Sequence, residues 1–404
     1  MKATTAAVAF ASALLLAAPA QARTSTDAQH AVASYAAMQR YLYDPGTKRY
    51  RDAFAWPVSQ AVSAAIAVAR IPGVHTDAAE HAALGFRQLD PLRQGSLYES
   101  AAGADLFYDD NEWIAQDLLD WNQLRSDPPA VARAEAIFAG VVHAWDNDAA
   151  TPCAGGVYWT TAAGNSDRNT VSTANGAVVG LRLYALTHRP VFLYWSQRML
   201  GWVNECMLAP YGLYWDHVAA DGTVDRREWS YNQGSPIAAY LLLYETTGDR
   251  SALTRAEQLA DGTLSAFSGR WLSEPPEFAA IFFQHVLELA AVDGRTQYVA
   301  ATQAYADAAW NALRVPETGL LSTGLLGQAA FVQLYAHPAL TGSGAEASPP
   351  PPQAVAQTGP GSTGAPADRD RGRRAPRTRS TRIRARGHDV AARTLATAHS
   401  SARW

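Results

Sequence analysis

The stretch DLFYDDNEWIAQDLLDW, residues 105–121, decides how this chain is read. Its second half is helical by spacing: Ile114, Leu118 and Trp121 recur on one face of a 3.6-residue turn. Its first half is not explained by that face. Asp109 and Asp110 stand side by side between Phe107-Tyr108 and Trp113, where the helix should begin. Asp109 and Glu112 have capping-box spacing, in which an acidic side chain accepts from the helix N–H groups and a glutamate three residues on reaches back. The helix dipole also favours acids there. Capping accounts for one aspartate and the glutamate. It leaves the second aspartate and the aromatic frame unexplained.

The pattern around this stretch repeats. Helical apolar periodicity recurs at about 29–42, 57–70, 76–89, 112–125, 129–145, 171–187, 191–206, 233–246, 250–266, 277–292, 296–313 and 323–337. Breakers such as DPGTK, IPG, DPP, THRP, TTGD, VDG and PETG fall between them. Strand-like sequence is limited to GGVYW (155–159) and GLYWDHV (212–218). Polar and aromatic clusters precede every second helix: FAWP, YDDNEW, SDRNT, WSYNQG and EPPEF. Six helical hairpins with that alternation predict an all-α fold, a closed (α/α)6 barrel whose inner helices start at one common end. An open α-solenoid is the competing arrangement, but no fixed-period solenoid repeat is present.

Composition bounds the rest. The chain has 404 residues, 48% hydrophobic and 17% charged, which is enough to bury a core. Its net charge of −4 is uneven. Residues 341–404 carry eleven Arg against Glu346, Asp368, Asp370 and Asp389, so the remainder is strongly acidic. That part has no basic footprint for nucleic acid. Residues 1–22 read as a cleaved secretory signal, with Lys2, an apolar run and Ala20-Gln21-Ala22, and predict a secreted or periplasmic protein. That run is short for a membrane anchor, and stable membrane insertion is not expected. Residues 23–340 are expected to form a single barrel domain and to be monomeric. Residues 341–404, rich in Pro, Gly and Arg, are expected to be a disordered tail, read as a linker with an unselected extension in preference to a basic wall-binding segment. Cys153 and Cys206 are the only cysteines; an exported protein could pair them, but spacing does not fix their separation.

Adjacent aspartates have a chemical use. Glycoside hydrolysis needs two carboxyl groups, and retaining enzymes hold them about 5–5.5 Å apart. Neighbouring Cα atoms are about 3.8 Å apart, so the pair can reach that separation on a turn or helix start, though not on a strand, where the two would face opposite ways. Two anions this close also raise one pKa and keep a proton available for a leaving oxygen.

YDDNEW closely resembles the double-aspartate signature of the glycoside hydrolase family 76 α-1,6-mannanases. The resemblance extends, in order, through GGVYWT (155–160), residues 169–216, YNQGSPIAAYLLLYETTGD (231–249), FAAIFFQHVLEL (278–289) and LLGQAAFVQLYA (325–336), covering about residues 29–340. It implies an (α/α)6 barrel and a retaining, endo-acting hydrolase of α-1,6-linked mannan, working without a metal or other cofactor. Carried over, Asp109 is the nucleophile and Asp110 the general acid/base. The chain departs from the expected pattern at Ala279, Gln284, His285 and Gly327.

Further substrate-binding candidates follow from residue type. Asn232 and Gln233, after Trp229 and Tyr231, suit hydrogen bonds to sugar hydroxyls beside a stacking face; Asn232 could instead cap its helix. Asn169 is a sugar ligand or an N-cap. Trp56, Trp113, Tyr158, Trp159, Tyr214 and Trp215 are stacking surfaces or core. His143, His217 and His285 stand alone and receive no role, and no metal site is expected. Two rivals remain: transglycosylation or hydrolysis of another α-glycan on the same fold, and non-catalytic glycan binding.

Overall fold

The computed structural model describes residues 25–341. The expected leader, and the tail beyond residue 341, lie outside them. Within them all twelve expected helices are present. They are α1 (25–42), α2 (Ala55–Arg70), α3 (Ala78–Leu89), α4 (Tyr108–Arg125), α5 (Pro128–His143) and α6 (Thr170–Thr187). The second half holds α7 (Pro190–Cys206), α8 (Tyr231–Thr247), α9 (Arg250–Ala266), α10 (Pro276–Asp293), α11 (Thr296–Leu313) and α12 (Leu325–Thr341). The breakers act as their chemistry requires. Pro128, Pro190 and Pro276 open helices, where a missing N–H costs nothing. Gly248 and Gly294 close α8 and α10 in the left-handed conformation, which glycine adopts without strain.

The even-numbered helices close a ring. α2 packs on α4, α4 on α6, α6 on α8, α8 on α10, α10 on α12, and α12 returns to α2. This closure rules out the solenoid. The helices α3, α5, α7, α9 and α11 pack outside, each against the inner helix before it, and Gln328 of α12 donates to Ser34 O of α1 at 2.9 Å. Burial follows the layer. α6 is buried on nearly every side through Leu183, whereas α9 buries a single stripe of Ala252, Ala256, Leu259, Ala260 and Thr263. Close approach in the ring requires small residues: a Cβ on Gly234 would lie 2.9 Å from Phe282 Cα. Among the described residues no helix is long and apolar enough to cross a membrane.

Short strands brace the connections. β1 (Tyr43–Asp44) and β2 (Arg49–Tyr50) form a hairpin around DPGTK, and β3 (Arg93–Gln94) pairs with β4 (Leu97–Tyr98). β5 (Arg168–Asn169), β6 (His217–Val218) and β7 (Val224–Asp225) form an antiparallel sheet with Asn169 opposite His217. GLYWDHV thus supplies a strand. GGVYW supplies only isolated bridges, Trp145 to Val157 and Tyr158 to Arg168. Cys153 and Cys206 form a disulfide with Cα atoms 6.0 Å apart, joining the 145–161 loop to the end of α7.

Candidate active site

α4 begins at Tyr108, one turn earlier than its apolar face indicates, so Asp109 and Asp110 lie inside its first turn. Two fixtures hold that turn. On one side Tyr108 N donates to Trp159 O at 2.9 Å, and Thr160 Oγ1 donates to Leu106 O at 2.5 Å. On the other, the fully buried Asn111 accepts from Tyr98 N at 2.7 Å and donates to Tyr98 O at 2.9 Å and Phe107 O at 2.8 Å. The capping-box expectation fails. The N-cap residue is Phe107, and no side chain caps the helix. Glu112 sits too far along to reach back; it points inward, fully buried, with neither carboxyl oxygen hydrogen-bonded. A Cβ on Gly176 would lie 3.2 Å from Glu112 Oε1, so α6 needs a glycine where this carboxyl passes.

The two aspartates differ in what they receive. Burial raises the Asp109 pKa, opposed by hydrogen bonds from its own N–H, from Trp159 and from the Asp110 N–H, and the outcome is about 7. Asp110 is raised well above the ordinary range by burial and then by the charge of Asp109. Glu112 is raised by the same two causes. A proton on this cluster therefore favours Asp110 or Glu112, and Asp109 is the carboxyl that helix N–H groups prepare for a negative charge.

The other helix starts converge here. Trp113 packs with Val171 and Ile281, and Trp56 and Tyr231 close on that cluster. Phe278 stands at the centre of the aromatic wall, parallel to Tyr231 at 3.9 Å between centroids, stacked on Trp56 and edge-on to Trp229. Five of the six inner helices thus meet at the end predicted from the alternation. Trp159 lies against Phe107 and donates to Asp109. Trp215 is half-buried with the Arg226 guanidinium 5.0 Å above its ring.

Several candidates prove to be scaffold. Gln233 is fully buried and its amide is committed to backbone: it accepts from Tyr214 N at 2.8 Å and donates to Tyr214 O at 2.9 Å and Trp229 O at 3.2 Å. It has no group left for a sugar. Tyr214 is core, its hydroxyl bonded to Asn204, Tyr240 and Arg255. The Tyr158 hydroxyl donates to Asp146, which forms a buried ion pair with Arg168 at 2.9 Å. Asn169 occupies the N-cap position of α6 without capping it, and its Oδ1 is buried with no hydrogen-bond partner. Asn232 does not cap α8. Its Nδ2 donates to Asp216 Oδ1 at 2.8 Å, and its Oδ1 has no partner.

Asp216 is the residue the sequence reading missed. It is 6% exposed, accepts from Asn232, and bonds His217 Nδ1 at 2.9 Å through Oδ2. Its charge raises the pKa of both Asp109 and Tyr231. Burial opposes a charge on His217, but the bond to Asp216 and the charges of Asp216, Asp167 and Asp225 outweigh it and raise its pKa. The signal was present in GLYWDHV, where an acid and a histidine follow the aromatics. Among the described residues Asp216, His217 and Asp225 are the group able to gather round a metal ion. Protein partners already occupy them: Arg227 grips Asp225 with Nη2 at 2.7 Å and Nε at 2.9 Å. A further carboxylate, Glu274, accepts from Ser230 N at 3.0 Å and holds the start of α8.

Paired carboxyls beside a cleft are the working parts of glycosidases, and this double ring sets such a pair at one end. The chain matches the model of "Glycosyl hydrolase family 76" over residues 20–314 and belongs to that family. It is similar to mannan endo-1,6-alpha-mannosidase DCW1 of Saccharomyces cerevisiae, 29% identical over 153 residues, which are 35% of this chain and 33% of that protein. The match therefore spans about a third of that relative's length. Among solved structures it resembles a family 76 glycoside hydrolase from a bovine Bacteroides thetaiotaomicron strain, with TM-score 0.68 and 25% identity over 78% of this chain and 77% of that one. It also shares the fold of the α-1,6-mannanase GH76A of Salegentibacter sp. HEL1_6, solved as an inactive variant with two adjacent aspartates changed to asparagine, in complex with α-1,6-mannotriose. That likeness has TM-score 0.66 and 18% identity, over 78% of this chain and 99% of that one.

Proposed function

We propose that this chain is an exported, retaining, endo-acting hydrolase of α-1,6-mannosidic linkages, with Asp109 as nucleophile and Asp110 as acid/base. The observation that carries the roles is the unequal treatment of the pair. Burial raises both; the N–H groups of the helix start and the Trp159 indole lower the pKa of Asp109 alone, while the Asp109 charge raises Asp110 further. In the first step the Asp109 carboxylate attacks the anomeric carbon. The glycosidic C–O bond breaks, and the leaving oxygen takes the proton of Asp110. Asp109 is then a neutral ester. Its charge no longer raises the Asp110 pKa, so Asp110 turns from acid to base and takes a proton from water. The water oxygen attacks the anomeric carbon and releases Asp109. Asn169, Asn232 and the wall of Trp56, Tyr231 and Phe278 offer free amide oxygens and apolar faces to the sugar rings.

The substrate class rests on the family and on the mannan-active relatives. In the Salegentibacter enzyme, replacing two adjacent aspartates gives an inactive variant that holds α-1,6-mannotriose, as the roles of Asp109 and Asp110 require. Export rests on the leader sequence. The test is incubation with α-1,6-mannan oligomers, reading fragment masses and the anomeric configuration at first release. Internal cleavage with the α anomer is expected. A β product would exclude a covalent Asp109 intermediate, and no cleavage would leave glycan binding as the activity.

A further inference from the structure

The inner ring holds a second cavity at its other end, towards the ends of the inner helices. Its volume is about 560 Å³, within the ~300–1,000 Å³ of small-molecule sites. All six inner helices line it, and Trp113 and Ile281 are shared with the cluster at the candidate active site. The lining residues nearest that site are apolar: Trp113, Val178, Ala238 and Ile281. Beyond them the wall turns polar, with Gln60, Gln116, Gln284 and Gln333 supplying amides.

The charges of the wall are largely matched. Asp120 pairs with Arg182, and Glu288 is bonded by His285 at 2.7 Å and Gln284 at 3.1 Å. Arg70 and Glu245, of opposite charge, both line it from the last turns of α2 and α8. Burial lowers the His337 pKa to about 4, so its ring is neutral at pH 7. Two groups are left over. Asp117 is 1% exposed, and while Oδ1 accepts from Ser63, Oδ2 has no partner. Gln116 is 8% exposed and its Nε2 has none. Buried polar atoms demand partners, so something hydrogen-bonding belongs in this space.

We propose that this cavity is a second binding site, for a neutral polyhydroxylated molecule of mono- to disaccharide size. The C–H face of such a ring suits the apolar floor. Its hydroxyls, each donor and acceptor, suit Asp117, Gln116 and the amide wall. Burial pushes the Asp117 pKa well up, and with the remaining charges largely matched the wall offers an ion little net attraction. The site does not depend on the catalytic roles given to Asp109 and Asp110.

The test uses the full chain carrying Asp110→Asn, titrated by calorimetry with α-1,6-mannobiose, D-glucose and myo-inositol in turn, with crystals soaked in the same compounds. At least one should appear in the far cavity against Asp117 and Gln116. Its affinity should fall tenfold or more in Ala291→Trp, where an exposed residue at the mouth becomes a plug, and in Asp117→Asn. In chains with Asp110 intact, both changes should leave hydrolysis of mannan oligomers within twofold of wild type. Glucose or inositol binding would support the site and assign it a ligand other than the mannan fragment. Only ordered water in the soaked cavity, or binding unmoved by Ala291→Trp, overturns the proposal. Ala291→Trp keeps the test valid should Asp117→Asn fail to fold.

Discussion

At the end of the ring where the inner helices start, Asp110 and Glu112 are buried and Asp109 is half-buried, and among the described residues none pairs with an arginine or lysine. At the other end, Asp120 meets Arg182 and Glu288 meets His285. The titration follows. Asp109 is pushed up to about 7, while Glu288 is held down at about 2. The half-exposed acids of the far end are paired, whereas the buried ones keep the cost of burial at both ends: Asp110 and Glu112 at the helix starts, and Asp117 at the other end, are all raised well above the ordinary carboxylate range. The amides differ between the ends. Near the helix starts Asn111, Gln233 and Gln328 each clasp backbone of the preceding loop: Tyr98, Tyr214, and Leu321 with Ser322. At the far end the Gln116 Nε2 is left over.

The sharpest way to break this comparison is to neutralise the near-end pair. Asp109→Asn and Asp110→Asn should each lower kcat by ~10³-fold or more, since in the proposed mechanism each removes a group that makes or breaks a bond. Both should also be more heat-stable than wild type at pH 7. The sign follows from linkage. A carboxyl whose folded pKa is raised stabilises fully below its unfolded value, and that contribution is lost as pH rises through the folded value. For Asp109 the loss falls between 3.8 and about 7, and an asparagine does not suffer it. Calorimetric melting of the variants from pH 4 to 8 measures it; equal or lower stability at pH 7 would mean the carboxyls are not strained.

Next in size is the clasp. Asn111→Ala strands Tyr98 N–H and Tyr98 C=O, and at ~1–3 kcal/mol for an unsatisfied buried group the loss should be about 3 kcal/mol. Gln116→Ala removes an amide whose N–H₂ has no partner and should cost less than about 1 kcal/mol. Denaturant unfolding of the two variants compares the ends directly. Equal losses would erase the distinction between clasping and free amides.

The contrast also explains what the sequence made legible. All twelve helices and their alternation were readable because each inner helix pairs an apolar run with a cluster at its start, and breakers such as TTGD and VDG lie between. The candidate pair Asp109 and Asp110 was readable because capping left one aspartate over. What failed was tertiary. Glu112 has capping spacing, but the helix begins one turn early and turns that side chain inward. Gln233 and Asn232 are neighbours of similar chemistry, and only the fold shows that one clasps Tyr214 while the other faces Asp216. Phe278 lies in the first turn of α10 and Asp216 in the connection between α7 and α8, so no local pattern joins them to Asp109.

A smaller effect sharpens the role of Asp216. Its charge is one of the groups raising the Asp109 pKa, so Asp216→Asn should shift the acid limb of kcat/KM to lower pH. The wild-type limb is expected near 7, where Asp109 loses its proton. The rate should also fall about tenfold, because Asn232 and His217 lose the carboxylate that orients them. A slower enzyme with an unmoved limb would leave Asp216 as a tether and nothing more.

The smallest expected effect tests the cancelled end. Burial alone would raise the Glu288 pKa, but the charge of His285 and the hydrogen bonds from His285 and Gln284 outweigh it and hold it at about 2. A depressed carboxyl stabilises the fold above its unfolded value and loses that contribution as pH falls through the folded one. The window here runs from 4.5 down to about 2. The Glu288 side chain is 37% exposed to the cavity, and solvent screening limits the pair to less than about 1 kcal/mol, or roughly 2 °C in melting temperature. Glu288→Gln should therefore melt slightly below wild type at pH 6, with the gap closing as pH approaches 2 and with mannan hydrolysis unchanged. A gap that persists at low pH would mean that packing, and not charge, holds this wall. A loss of hydrolysis would mean that the two ends are coupled through Trp113 and Ile281, which they share.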